Sequence, residues 1–366
     1  MNNHGKSLNM LIIMLGVVLI LYVLKPILMP LIFAVLLAAI VYPVLHFLET
    51  RLHFGPGLTS LLGVLIFCGI AITLVVFISS QFSTFIDHSD LYSTKFGELW
   101  TNLLAYLDTK TSLDIAPLHK LRMPELSTLW ARSGDTITDA FSITSHFIGD
   151  LFMVPIYMFF ILYYRSFLIE FLHRAFAHLP NDRMESILQG LFDVVQNYLR
   201  GMLTVMLIVG VLNSIGLLIL GIENAIFFGF LGALLLLIPY IGIIMGSLFP
   251  ALVALVTKDS YWYVVGVFAV FVFVQFLEGN FITPRVAGSK MSMNAFISVI
   301  ALFLFSMLWG MAGLVLALPL TAMLKVVFDH SESLQAWGYL IGETEDHHTR
   351  KNNMIWMRLR MKYKKK

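Results

Sequence analysis

Six stretches of this chain, residues 8–24, 27–48, 57–81, 146–164, 202–221 and 261–277, are apolar over lengths that water-soluble folds do not sustain. A helix crossing a hydrocarbon core of about 30 Å needs about 20 such residues. In that core only helices and closed barrels satisfy every backbone polar group. The windows therefore predict spans, and the rest of the composition agrees, with 58% hydrophobic residues, 13% charged residues and a mean hydropathy of +0.85. A soluble domain carries about 25% charged residues. The expected fold class is an all-α polytopic membrane protein with six to eight transmembrane helices. Lys6 precedes the first window, but no small-residue cleavage pattern follows before Lys25, so that window reads as an uncleaved span.

Two further apolar segments, 225–256 and 294–324, are too long for one upright crossing, since each would make a helix of roughly 46–48 Å. Both are broken near the middle, by Ile238 to Gly242 in the first and by Trp309 to Gly313 in the second. Proline removes a backbone donor and glycine loosens the helix, so these are places to turn. Either each segment is one tilted helix or each is a re-entrant hairpin of two half-helices. Arg285 and Lys290 in the loop 279–292 favour the hairpins, which put that loop on the cytoplasmic side with both termini.

The organisation expected is three N-terminal spans in 1–82, an extracytoplasmic helical insertion at 83–145 and a fourth span at 146–166. A cytoplasmic amphipathic region at 167–200, a transport core at 201–326 and a basic cytoplasmic tail at 327–366 follow. The insertion holds eight acidic and five basic residues, and Phe96, Leu99, Leu103 and Leu107 recur in it at helical spacing. Between Arg165 and Arg200 the pattern Met184, Ile187, Leu188, Leu191, Val194 and Val195 reads as an interfacial helix started by Pro180 and Asn181. After Asp346 the tail has no acidic residue, while Arg350, Lys351, Arg358, Arg360 and Lys362 lead to a run of three lysines. Such an end suits an anionic lipid surface and the setting of orientation, and no nucleic-acid partner is expected.

An ionisable or amide side chain at membrane depth is costly unless it faces protein, a ligand or water. That singles out Asn213, Gln275, Glu278, Asn280 and Arg285. Gln275 and Glu278 are three apart, on one helical face, and Asn280 follows closely. Glu278 can exchange a proton or coordinate a cation, and Arg285 can neutralise it or hold an anionic substrate. The plainer reading makes Glu278 and Arg285 solvated charges at a helix end, and Asn213 the donor or acceptor of an interhelical hydrogen bond. Around Pro239, Tyr240 and Gly242, half-helix ends would leave backbone carbonyls free to bind ions or polar groups, or the proline would merely kink a packed helix. Cys68 is the sole cysteine, His347 and His348 stand in a soluble tail, and no nucleophile, zinc or phosphate-loop motif occurs. Neither a catalytic site, nor a metal site, nor a cofactor is expected.

The run Gln196 to Gly201, Ile238-Pro-Tyr-Ile-Gly242 with Pro250, Glu278-Gly-Asn-Phe-Ile-Thr-Pro-Arg285 with Gly288, and Gly310 to Gly313 leading to Leu318-Pro319-Leu320 and Lys325 resemble one family in order and spacing. It is the AI-2E family of bacterial transporters, also called the autoinducer-2 exporter or PerM-like permease family. Met293 and Asn294 stand where that family often carries a further proline. The resemblance implies a permease of the cytoplasmic membrane, some members being associated with export of a quorum-sensing signal and others with sodium/proton antiport. It also implies that Pro239, Tyr240, Gly242, Glu278, Asn280, Pro284 and Arg285 occupy recurrent positions.

The function expected is thus a secondary transporter of the bacterial inner membrane that exports a small organic solute, with monovalent cation/proton antiport as the alternative. A non-transporting scaffold and a passive channel are the rivals from other classes. The partners expected are the lipid bilayer, the solute or the cation with a proton, and further copies of the chain.

Overall fold

The computed structural model describes residues 3–87, 152–177, 179–237, 241–287 and 293–342, and isolated positions 94, 97, 98, 101 and 105. Most of the insertion 83–145 and the tail beyond 342, with His347 and His348, lie outside the described residues. The chain divides into two compact units, one made of Met1–Ile169 and Arg200–Val286, the other of Glu170–Leu199 and Ala287–Lys366.

The first unit opens with α1 (Asn3–Val23) and α2 (Lys25–Leu52). The windows 8–24 and 27–48 do not turn back on each other between these helices. Leu24 N–H donates to Ile20 O at 2.8 Å and Leu28 N–H to Leu24 O at 2.9 Å, so the helical ladder runs through the junction. Pro26 has no N–H to give, which interrupts the ladder locally without reversing the chain. α2 stops where His53 adopts a left-handed conformation, φ 53°. α3 (Pro56–Asp87) restarts with proline at its first position, where the missing donor costs nothing.

α4 (Phe152–Tyr163) lays Val154, Met158 and Leu162 against Ala34, Ala38 and Leu45 of α2. α3 closes on the same core through Gly63, where a Cβ would come within 2.9 Å of Leu45. Beyond Tyr164 the helix bends by 73° into α5 (Arg165–Ala175).

Pro180 and Asn181 do start a helix, α6 (Asn181–Ile219), and it runs without a break past Arg200. On the apolar face of its first half Met184 and Val195 are buried, Ile187, Leu188, Leu191 and Val194 are partly buried, and Gly190 sits on Val326 in the second unit. Its second half packs within the first unit on α7 (Ala225–Leu235), α8 (Ile241–Thr257) and α9 (Trp262–Leu277). Small residues let these helices meet at backbone distance. A Cβ at Gly229 would lie 2.2 Å from Ser214 Oγ, one at Gly246 2.8 Å from Gly232 Cα, and one at Gly216 2.3 Å from Val270.

Segment 225–256 is therefore two helices folded on each other. Gly232 meets Gly246 across the turn, and Gly242 lies so close to the Leu235 carbonyl that a Cβ would fall 1.9 Å from its oxygen. Segment 294–324 does the same in the second unit, as α11 (Ala295–Trp309) and α12 (Met311–Asp329). Gly310 turns the chain with φ 67°, and a Cβ at Gly313 would fall 1.9 Å from Phe305 O. α13 (Gln335–Ile341) closes that hairpin at its open end. Asn294 N–H donates to Ile341 O at 2.9 Å, and the adjacent Gly342 sits beside Lys325.

Among the described residues five helices have the length and apolar composition to cross a membrane: α2, α3, α6, the rod Trp262–Val286 that α9 begins, and α12. A sixth joins them if the bent pair α4 and α5 is one span. The chain is an all-α, multi-pass membrane protein.

Candidate functional site

Glu278 stands where α9 changes its winding. Residues Glu278–Ile282 form a π-helical turn, continued by α10 (Thr283–Ala287). Pro284 lacks an N–H and its ring crowds the carbonyl four residues back. Widening the turn relieves that crowding, and Gly279 beside it offers no resistance. The Thr283 N–H consequently donates to Glu278 O, five residues back. Such turns occur frequently at functional sites.

The widened turn also places the Thr283 side chain over Glu278. Thr283 Oγ1 donates to Glu278 Oε1, and Gln275 Nε2 donates to Oε2 at 2.6 Å. The half-buried carboxylate thus has a donor on each oxygen within an otherwise apolar rod. The structure joins Gln275 to Glu278, as their spacing suggests, and adds Thr283, which an i to i+4 reading of the sequence passes over.

Asn280 and Arg285 are not part of this cluster. Asn280 is exposed and its Nδ2 donates to Phe276 O at 2.9 Å, within its own helix. Arg285 is exposed, with its guanidinium 5.8 Å from the Phe281 ring centroid. Among the described residues no carboxylate lies within 4.0 Å of it. Of the other candidates, Gly242 forms the tight turn opening α8, while Pro239 and Tyr240 lie outside the described residues.

Asn213 is 3% exposed on α6, and its Oδ1 has no hydrogen-bond partner among the described residues. Its amide nitrogen lies 3.7 Å from where a Cβ of Gly232 would be. The polar contact with the neighbouring helix comes from the next residue, since Ser214 Oγ bonds to Gly210 O at 2.7 Å and lies 3.4 Å from Ile226 O.

A second charged cluster joins the ends of three helices in the first unit. Arg165 pairs with Glu49 at 2.5 Å, Thr59 Oγ1 donates to the other Glu49 oxygen at 2.7 Å, and Arg165 lies 5.6 Å over the Tyr42 ring. The two charged side chains are 26% and 15% exposed, and Arg165 Nη1 is buried without a partner. Their separation of 116 residues hides this pair from sequence reading; the available signal was that both charges flank apolar windows.

The described residues thus place a hydrogen-bonded carboxylate inside an apolar-rich span and a buried amide oxygen on the neighbouring α6. The sequence model for AI-2E family transporters matches residues 10–333. YrrI of Bacillus subtilis (strain 168), a transport protein by name, is 28% identical over 317 residues, which are 84% of this chain and 87% of the relative. YueF of the same organism, likewise named as a transport protein, is 27% identical over 312 residues, 81% of this chain and 83% of the relative. PerM of Escherichia coli (strain K12), named as a permease, is 27% identical over 182 residues, about half of each chain. With a family match over nearly its whole length and a fold of apolar helices, the chain belongs to the AI-2E family of transporters.

Proposed function

We propose that this protein is a secondary transporter of the bacterial inner membrane that exports a small organic solute, such as a quorum-sensing signal, and uses Glu278 as its proton-carrying group. The observation that carries the proposal is the carboxylate of Glu278, held by Gln275 and Thr283 on a widened turn within an apolar rod. A carboxylate within a span exchanges a proton where water or solute reaches it, and coupled transport requires that this access come from one side at a time. Both termini are cytoplasmic in this reading, supported by Lys6 and the basic tail. Assembly into homo-oligomers belongs to the same proposal.

Monovalent cation/proton antiport is the second reading, and Asn213 favours it. A buried amide oxygen with no donor is a ligand awaiting a cation or a hydrogen-bond donor. One experiment separates the two. Purified protein in liposomes with an internal pH dye and an imposed proton gradient receives sodium, lithium or potassium salts in turn, with Glu278→Gln in parallel. A cation-dependent pH change that the variant loses establishes antiport through Glu278. Silence towards all three cations, together with proton-dependent movement of a labelled organic signal, establishes solute export; silence towards both, from folded protein, overturns the transporter reading.

A further inference from the structure

α5 is amphipathic, and none of its residues is buried among the described residues. Phe167, Leu168 and Phe171 are 64%, 39% and 56% exposed and share one broad arc with Ala175. Ser166, Glu170 and Arg174 lie on the arc beside it, centred about 110° away, where Arg174 pairs with Glu170 one turn away and borders Phe167. An exposed face of this kind has to be covered by lipid or protein.

We propose that α5 is a membrane-surface helix, lying in the headgroup region with Phe167, Leu168 and Phe171 turned into the acyl boundary. Three features favour lipid as the occupant. The helix leaves the apolar α4 at a 73° bend, so it continues directly from a membrane-embedded element but no longer runs along it. The bend is lined by rings of the kind that gather at membrane interfaces, with Tyr163 against Tyr164 at 4.8 Å and Tyr164 against Phe167 at 6.4 Å. Arg165, the first residue of α5, is turned back onto Glu49 and Tyr42, which fixes the direction in which the helix departs. The Glu170–Arg174 pair nearly cancels the charge of the polar arc, so attachment rests on apolar burial and does not require anionic lipid.

The test uses full-length protein with Cys68→Ser in phosphatidylcholine vesicles, carrying single nitroxide labels at positions 166, 167, 168, 170, 171 and 174 in separate samples. Collision with oxygen reports lipid, and collision with a water-soluble nickel chelate reports water. The expected result is a ratio of oxygen to nickel accessibility several-fold higher at 168 and 171 than at 166 and 170, with 167 and 174 at the border between the arcs taking intermediate values, unchanged when phosphatidylglycerol is added. Nickel access at all six positions overturns the proposal by placing the helix in water. Shielding of 167, 168 and 171 from both reagents overturns it by showing that protein covers the face. A label that abolishes the thermal transition is discounted, and the other labels on its arc decide.

Discussion

Replacing Glu49 with glutamine keeps the size of the side chain and an acceptor for Thr59, but removes the only described anion facing Arg165. Arginine cannot discharge itself by losing a proton. Breaking a buried ion pair from one side costs 3–5 kcal/mol, and the 26% exposure of Arg165 puts Glu49→Gln near the lower end, about 3 kcal/mol. For a unit of this size each kcal/mol moves the melting temperature by about 2–4 °C, so the variant should melt roughly 6–12 °C lower. Arg165→Met should cost less, because the stranded Glu49 can take up a proton and methionine fills much of the arginine's volume. The double variant removes both charges together and loses little beyond the contact with Tyr42, worth about 1 kcal/mol. It should therefore melt above Glu49→Gln alone. The assay is a thermal shift on the four purified proteins in one detergent. A double variant as unstable as Glu49→Gln, or a Glu49→Gln indistinguishable from the parent, would refute the claim that the two members of this partly buried pair depend on each other.

Two further predictions test the helix contacts and the carboxylate cluster. Gly229→Ala forces a methyl group into the Ser214 backbone and should destabilise by about 1–3 kcal/mol, whereas Gly69→Ala meets nothing within 4 Å and should be neutral or slightly stabilising; melting curves distinguish them. Thr283→Val preserves shape but removes one of the two donors to Glu278, and should lower proton-coupled flux in liposomes without changing the melting temperature by more than about 3 °C.

What the sequence made legible follows from the range of the interactions involved. The two hairpins were marked by Pro239 with Gly242 and by Gly310 with Gly313, because a reversal needs residues that release or bend the backbone locally. Gln275 and Glu278 were legible for the same reason, being one helical turn apart. The continuity of α1 and α2 was not, since a lysine and a proline between two apolar windows look the same whether a helix kinks or reverses. The ion pair of Glu49 and Arg165 depends on tertiary packing, which no local pattern encodes. Asn280 and Arg285 sit close to Glu278 in the chain, yet the winding of the helix directs them to other contacts.

That winding has a consequence for the whole rod from Trp262 to Val286. A π-helical turn holds about one residue more than an α-helical turn, so everything after it is rotated by roughly 100° about the axis relative to an uninterrupted helix. The stripe carrying Gln275 and Glu278 is continued by Thr283, and Arg285 faces elsewhere. The rod therefore carries one polar stripe across the change of winding, with Arg285 on another face. Deleting Gly279 would let the rod regain ordinary α winding with Thr283 now four residues from Glu278, so the contact between them and the face of the arginine should both survive, and only the wide turn itself would be lost.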